Sequence, residues 1–221
     1  MGKLIVLDGI DGCGKTTQFG LLYEKLKAMN MPLQAVSFPE YDKPSAALVK
    51  MYLGGEFSGV PGGVNSYAAS SFYAVDRFAS YKLYWERSYK SGSIILASRY
   101  TTSNAIHQMS KLTREQWDDY LFWLEDYEYG KLGLPKPDLV IFLSLPLSAS
   151  QKLLMNRYDG DDSKKDIHES DLEYLHQCIL SAEYAAEKMG WKVIDCFKDG
   201  KIRDIEDINS ELLKIVKEVL D

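Results

Sequence analysis

The sequence predicts an α/β fold: a P-loop NTPase-type parallel sheet of about five strands with helices on both faces and a short lid. Three observations predict it. A glycine-rich loop, GIDGCGKTT at residues 9–17, follows an apolar run and opens a helical pattern that lasts through Lys27. Five short, mostly β-branched apolar runs, at residues 4–7, 33–38, 93–97, 139–145 and 192–196, read as buried parallel strands. Longer stretches of helical period separate them, and such alternation buries a sheet on both faces and binds ligands beyond the carboxyl ends of its strands.

The first strand end carries the clearest chemistry. Gly9, four residues, then Gly14, Lys15 and Thr16 is P-loop spacing, with the required strand before and helix after it. Gly9, Gly12 and Gly14 let backbone approach an anion closely. The amides of Cys13 to Thr17 at the helix start face phosphates, with the helix dipole in support. Lys15 reaches the β and γ phosphates of a nucleotide, and the Thr16 hydroxyl ligates the magnesium that bridges them, with Thr17 beside it. Cys13, inside the loop, is either a small packing residue or a thiol that bound ATP would shield.

Residues 39–41 follow the second strand, and the glycine-rich break at 54–63 reads as a loop between helices. A helix over 67–89 is rich in aromatics, among them Phe72, Tyr73, Phe78, Tyr81, Tyr84 and Trp85, most of them core or interface. Tyr73 and Arg77, four residues apart, share a face and so offer one ligand a stacking ring and a planar fork; the same spacing also stabilises a bare helix. After the third strand comes SRYTTSNAIHQ, residues 98–108. Arg99 stands at the strand end, where a phosphate-facing guanidinium belongs. Asn104, His107 and Gln108 fall on one side of the next helix. Asn104 can donate to a base carbonyl and accept from a ring N–H, whereas a lone His107 is equally well a surface or satisfied core residue. Beyond the fourth strand, a helix ends near Tyr158 and another starts near Asp166. Between them, DGDDSKK at 159–165 is a solvated loop or a flap that brings Arg157, Lys164 and Lys165 over a triphosphate.

The whole chain constrains these readings. Its 221 residues fit one α/β unit. A net charge of −6 and a pI near 5.2 exclude a broad nucleic-acid or anionic-membrane surface, leaving a local basic pocket for anions. No apolar run approaches the ~20 residues of a membrane helix, and the N-terminus lacks a signal-peptide pattern. Cys13, Cys178 and Cys196 show neither metal-ligand spacing nor a disulfide framework, which suits a reducing cytoplasm.

Taken together these motifs resemble the thymidylate kinase family, P-loop nucleoside monophosphate kinases that make dTDP from dTMP and ATP. The resemblance spans almost the whole chain, as one domain over 1–221 with its phosphate loop at 9–17 and lid at about 157–168. LDGIDGCGKTTQ is similar to the family's phosphate loop, and implies that Asp11 lies beside the acceptor's sugar and phosphate. SFPEY, residues 37–41, resembles the Phe-Pro segment under the monophosphate nucleotide, here Phe38, Pro39 and Tyr41. FYAVDR resembles the helix with a base-stacking aromatic and an Arg four residues on, here Tyr73 and Arg77. SRYTTSNAIHQ resembles the motif with a phosphate-binding Arg and base-reading Asn, here Arg99 and Asn104, with Ser103, His107 and Gln108 around the acceptor. PDLVIFL and DIHE resemble the fourth strand and the end of the lid.

The resemblance implies in-line transfer from Mg-ATP, catalysed by Lys15, Arg99, Asp11, Lys164 and Lys165, in a cytoplasmic homodimer that takes dTMP and ATP. The chain departs from the family at Ser98, where an Asp is usual, and at His107, where a Tyr usually faces the sugar. Gly12 stands where one branch has Arg, and the lid carries lysines where the other branch has arginines. The rival readings are a P-loop kinase for thymidine, UMP or CMP, and a nucleotide-sensing module weakened in catalysis, for which Ser98 is the motive.

Overall fold

The structure is a computed structural model that describes residues 1–157 and 171–220, with Pro61, Asn156 and Arg157 described by their backbone alone. Its centre is a parallel sheet of β1 (Leu4–Gly9), β2 (Leu33–Ser37), β3 (Ile94–Ser98), β4 (Leu139–Ser144) and β5 (Lys192–Asp195). The strand order is β2-β3-β1-β4-β5, so β1 lies in the middle, paired with β3 through Val6 and Ala97 and with β4 through Val6 and Val140. From β1 the chain crosses to the edge strand β2, returns to β3 beside β1, and then passes over β1 to β4 and β5 on the other side. The carboxyl end of β1 is therefore the topological switch point, where a crevice opens between diverging connections.

The period of two along the strands divides the core. Ile5, Leu7, Leu96, Ile141 and Leu143 join one apolar cluster, while Leu4, Val6, Val36, Ile95 and Ala97 join the other. Every residue of β1 is buried, which is why its run is continuously apolar rather than alternating.

The connections are mostly helical. α1 (Lys15–Lys27) and α2 (Ala47–Leu53) precede α3 (Ser66–Ser80), which opens at Asn65, whose side chain accepts from the Ala68 amide at 2.8 Å. A π-helical turn, Tyr81–Trp85, leads from α3 into α4 (Glu86–Lys90). The single helix expected over 67–89 is thus one path with a widened turn. The reason is spacing: Tyr81, Trp85 and Tyr89 all enter the second apolar cluster, and an α-helix overshoots by about 40° at each step of four residues. The wider turn absorbs that drift.

α5 (Thr102–His107) and α6 (Trp117–Glu125) follow, and a second π-helical stretch, Asp126–Lys131, extends α6. Then come α7 (Leu147–Arg157), α8 (Leu172–Met189) and α9 (Ile205–Leu220). Asp171 caps α8 by accepting from the Tyr174 amide at 2.9 Å, while the helix start expected near Asp166 lies outside the described residues. Leu22 and Leu26 of α1, Ala105 of α5, Leu175 of α8 and Leu212 of α9 cover the first face, while the Tyr81 to Tyr89 aromatics cover the second.

The five strands keep their expected places to within a residue or two at each end. Not expected was a small antiparallel hairpin, β6 (Phe197–Lys198) and β7 (Lys201–Ile202). It turns through Asp199 and Gly200, both at positive φ, a turn signal the sequence carried in plain view.

Candidate active site

At the carboxyl end of β1 a cavity of about 860 Å³ runs from the phosphate loop to the α3 and α5 helices. Gly12 and Gly14 hold φ of 78° and 84°, and a Cβ on Gly12 would meet the Ser150 carbonyl oxygen at 2.5 Å. Only glycine lets the loop pass so close to α7 while turning its amides outward. Gly14 is the N-cap of α1, and no side chain caps its first amides. Those amides and the exposed Thr16 and Thr17 make a helix start of the kind that can hold an anion. Lys15 is almost buried: its Nζ donates to the carbonyl oxygens of Gly9 at 3.0 Å and Ile10 at 3.4 Å. The cation rests on the loop's own backbone. Cys13 is buried, as a packing residue would be.

Arg99 is the hub of the phosphate end. It sits just past β3 in a left-handed backbone conformation, φ 65°, with its amide on the Leu7 carbonyl at 3.0 Å. That turn sends its guanidinium across the sheet end toward Asp11, to which Nη2 donates. Nη1 lies 3.6 Å from Asp8 and donates to Ser103 Oγ at 3.4 Å and to His107 Nε2 at 3.1 Å. Burial works against the charge on Arg99, but the Asp11 and Asp8 carboxylates outweigh it and raise its pKa. Burial likewise favours protonation of Asp11, yet Arg99 and Lys15 override it and hold this carboxyl well below the usual carboxylate range. Asp8, fully buried, accepts from Gly9 N at 2.8 Å, Thr102 Oγ1 at 2.6 Å and Ser103 Oγ at 2.7 Å, tying the loop to α5. Ser98 brings no carboxylate to Arg99; the acids beside that guanidinium are Asp8 at the end of β1 and Asp11 in the phosphate loop.

His107 is half-buried, with a partner at each ring nitrogen. Arg99 has only hydrogens to give, so Nε2 is the accepting nitrogen, and Nδ1 faces Cys178 Sγ at 3.6 Å. Burial pushes the Cys178 thiol up to about 12, which keeps it a neutral partner.

The other end of the cavity is built from buried polar groups. Phe38, which packs on Tyr100 with ring centroids 5.9 Å apart, is joined to Pro39 by a cis peptide, and both line the wall with the exposed Tyr41. Tyr73 meets Tyr52 edge-on at 6.2 Å, and Lys111 Nζ donates to the Tyr52 hydroxyl at 2.6 Å. Arg77 is 1% exposed, and its Nε and Nη2 donate to the two oxygens of Glu128 at 2.7 and 2.5 Å. Burial lowers the Arg77 pKa and Glu128 more than restores it, for a net rise. Asn104 Nδ2 donates to Glu128 Oε1 at 2.9 Å and to the Ser70 carbonyl at 3.3 Å. Gln108 is buried, and its Oε1 has no hydrogen-bond partner among the described residues.

One cavity is therefore lined by Asp11 to Thr17, Phe38, Pro39, Tyr41, Tyr73, Arg77, Arg99, Ser103, Asn104, His107 and Gln108, the residues singled out from sequence. Gly9 stands behind them as the acceptor for Lys15. One reading needs correction: Asn104 was expected both to donate to a base and to accept from it, but both its amide hydrogens are spent inside the protein, so it offers a ligand only its oxygen. Arg157 contributes backbone to α7, while Lys164, Lys165 and the flap lie outside the described residues. Sequence reasoning missed Glu128 and gave Asp8 only as an alternative to Asp11 for the carboxylate that Ser98 lacks. Glu128 sits in the aromatic run after α6, on the second π-helical stretch, and its partner Arg77 is far away in sequence. Nothing in DYEYGK, which carries two acids, marks Glu128 out from Asp126.

The chain matches the family model described as "Thymidylate kinase" over residues 7–206. It is 27% identical over 196 residues to the thymidylate kinase of Mycobacterium tuberculosis, covering 86% of this chain and 90% of that one. With the human thymidylate kinase it shares 28% identity over 200 residues, 89% of this chain and 84% of the relative. A solved thymidylate kinase from Candida albicans superposes with a TM-score of 0.69 at 20% identity, over 98% of this chain and 92% of that one, a likeness of fold. With the family model spanning nearly the full length and the phosphate loop, Arg99 and Asn104 on one cavity, the chain belongs to the thymidylate kinase family.

Proposed function

We propose that the protein transfers the γ-phosphoryl group of ATP to the 5′-phosphate of dTMP, yielding ADP and dTDP. The observation that carries this reading is the continuity of the cavity: the phosphate loop and the buried polar groups Arg77 and Asn104 line the same space. A phosphate oxygen of dTMP attacks the γ-phosphorus as the bond to the β,γ-bridging oxygen breaks, and ADP leaves. That oxygen is already ionised at neutral pH, so no base has to remove a proton. The chain's task is to position the reactants and offset the repulsion of two anions.

In this reading Lys15 leaves the loop carbonyls for the β and γ phosphates. Arg99 turns from Asp11 toward the acceptor phosphate, and Asp11 orients acceptor and Arg99. Tyr73 stacks on the base, Arg77 and Asn104 read its edge, and His107 and Gln108 border the sugar. Lys164 and Lys165 add lid cations by their place in the sequence, and Arg157 binds the donor. The exposed Thr16 hydroxyl, at the first turn of α1 on the cavity, fits a magnesium ligand, and among the described residues no cluster of three or more acidic, His or Cys groups forms a cage. A site with one hydroxyl suits an ion carried largely by phosphates and water, which would neutralise charge on the transferring group.

The outward apolar side chains of α3, including Val75 and Phe78, suit a homodimer contact. No helix among the described residues is long and apolar enough to cross a membrane, and a cytoplasmic setting is part of the proposal. The test is ADP formation with Mg-ATP and, separately, dTMP, dUMP, dCMP, UMP and thymidine, with products identified. Selective conversion of dTMP to dTDP is expected. Binding of ATP and dTMP without product would favour the sensing reading instead.

A further inference from the structure

Glu128 is fully buried, lies on the widened turn after α6, and accepts from two residues that line the cavity without lining it itself. Its neighbours leave Asn104 no choice of orientation. The side-chain nitrogen of Asn104 lies 2.9 Å from Glu128 Oε1 and 3.3 Å from the Ser70 carbonyl oxygen, and both are acceptors with no hydrogen to give. A flipped amide would set its oxygen against both. Asn104 therefore has Oδ1 left for a ligand. The same carboxylate takes Nε and Nη2 of Arg77, which leaves Nη1 and the second Nη2 hydrogen as donors.

We propose that Glu128 is a positioning residue that sets acceptor choice: by holding Arg77 and Asn104 together it presents one donor and one acceptor side by side to the base. This rests on the dTMP reading above and goes beyond it by naming the residue that fixes the code. A 4-oxo pyrimidine, thymine or uracil, presents the complementary pair, a carbonyl oxygen at C4 and an N–H at N3. A 4-amino pyrimidine presents the reverse, an amine at C4 and a bare N3, and meets donor with donor and acceptor with acceptor. Unpaired buried polar groups of this kind are costly, so the code rejects as well as selects. Glu128→Gln keeps the shape but replaces one accepting oxygen with an NH2, so Arg77 and Asn104 compete for the single oxygen that is left and only the Ser70 carbonyl still orients the Asn104 amide.

The test compares dTMP with dCMP, by calorimetric binding and by kcat/KM, in the wild type, Glu128→Gln, Asn104→Ala and the double variant. The ratio is read on one preparation, so inactive molecules cancel. Glu128→Asp, which keeps the charge, serves if Glu128→Gln does not fold. The wild type should favour dTMP, and Glu128→Gln should narrow that preference by about 10-fold or more, the scale of one buried hydrogen bond to a charged group. KM for dTMP should rise with KM for ATP unchanged. In the Asn104→Ala background the same change should move the ratio far less, because Glu128 acts through Asn104. A ratio unchanged in both Glu128 variants, or shifted equally in the two backgrounds, would overturn the role of Glu128 alone. A wild type with no preference for dTMP would overturn the proposed acceptor along with it.

Discussion

The two ends of the cavity hold their cations in different ways. At the base end, Arg77 and Glu128 are 1% and 0% exposed and bonded through two contacts, and Asn104 is held by the same carboxylate. At the phosphate end, Lys15 rests on backbone carbonyls and Arg99, 17% exposed, shares its guanidinium among carboxylates, a hydroxyl and an imidazole. The base end is locked before any ligand arrives, while the phosphate end keeps its charges on partners that a phosphate can displace. On the proposed function, the difference follows from what each end recognises. A neutral base edge is read by fixed hydrogen bonds, and fixed groups lose little freedom on binding. A transferring phosphoryl group gathers charge along the reaction, and cations must follow it.

If that contrast holds, the largest effect on stability comes from the locked end. Arg77→Ala strands the Glu128 carboxylate in the core, and breaking a buried pair by removing one partner costs about 3–5 kcal/mol. Urea unfolding should show that loss. A cost below about 1 kcal/mol, the scale of an exposed pair, would place the base end in the same class as the phosphate end.

Lys15→Ala is the counterpart at the other end. Turnover with dTMP should fall by at least ~100-fold, the scale of one lost preorganised charge-stabilising donor, while the unfolding midpoint stays near that of the wild type. Near-normal turnover would remove Lys15 from catalysis. A stability loss matching that of Arg77→Ala would mean its carbonyl contacts are structural rather than a resting place.

A smaller change separates recognition from chemistry. Asn104→Ala should raise KM for dTMP by about 10-fold, as one buried hydrogen bond is worth, and leave KM for ATP in place. Equal effects on both nucleotides would deny that the two ends act independently.

The two ends also differed in how legible they were. The phosphate loop is local: its glycines, Lys15 and Thr16 are contiguous, and the strand before and helix after them are readable from pattern. The sheet was legible for the same reason, since its β1 run is buried on both faces and needs no polar alternation. Glu128 was hidden because its meaning lies in Arg77, brought close only by packing of α3 against the end of α6. Charged residues after a helix ordinarily face water, and nothing local in DYEYGK says otherwise. The donor half of Asn104 was misjudged on similar grounds, because only the folded neighbours reveal which of its atoms are already occupied. The hairpin at 197–202 is a different case. Its turn residues were visible, but two-residue strands are too short for a periodic signal.

The smallest expected effect is a pH dependence at the phosphate end. Asp11 has a folded-state pKa depressed below its ordinary value by Arg99 and Lys15 against the opposing pull of burial. In the unfolded chain the same carboxyl titrates near 3.9. Between those two values the unfolded state binds more protons than the folded one, so stability falls as pH falls. The contribution is fully present above about pH 5 and drains away as pH drops through 4 toward the folded value. Asp11→Asn should lack this component, so the gap in unfolding midpoint between wild type and variant should narrow from pH 6 to pH 3. A gap that stays constant would mean that Asp11 and Arg99 are no more strongly paired than two surface charges. If the gap narrows only without ligand and inorganic phosphate abolishes it, Arg99 leaves Asp11 when an anion is offered, which is the exchange that distinguishes this end from the one built on Glu128.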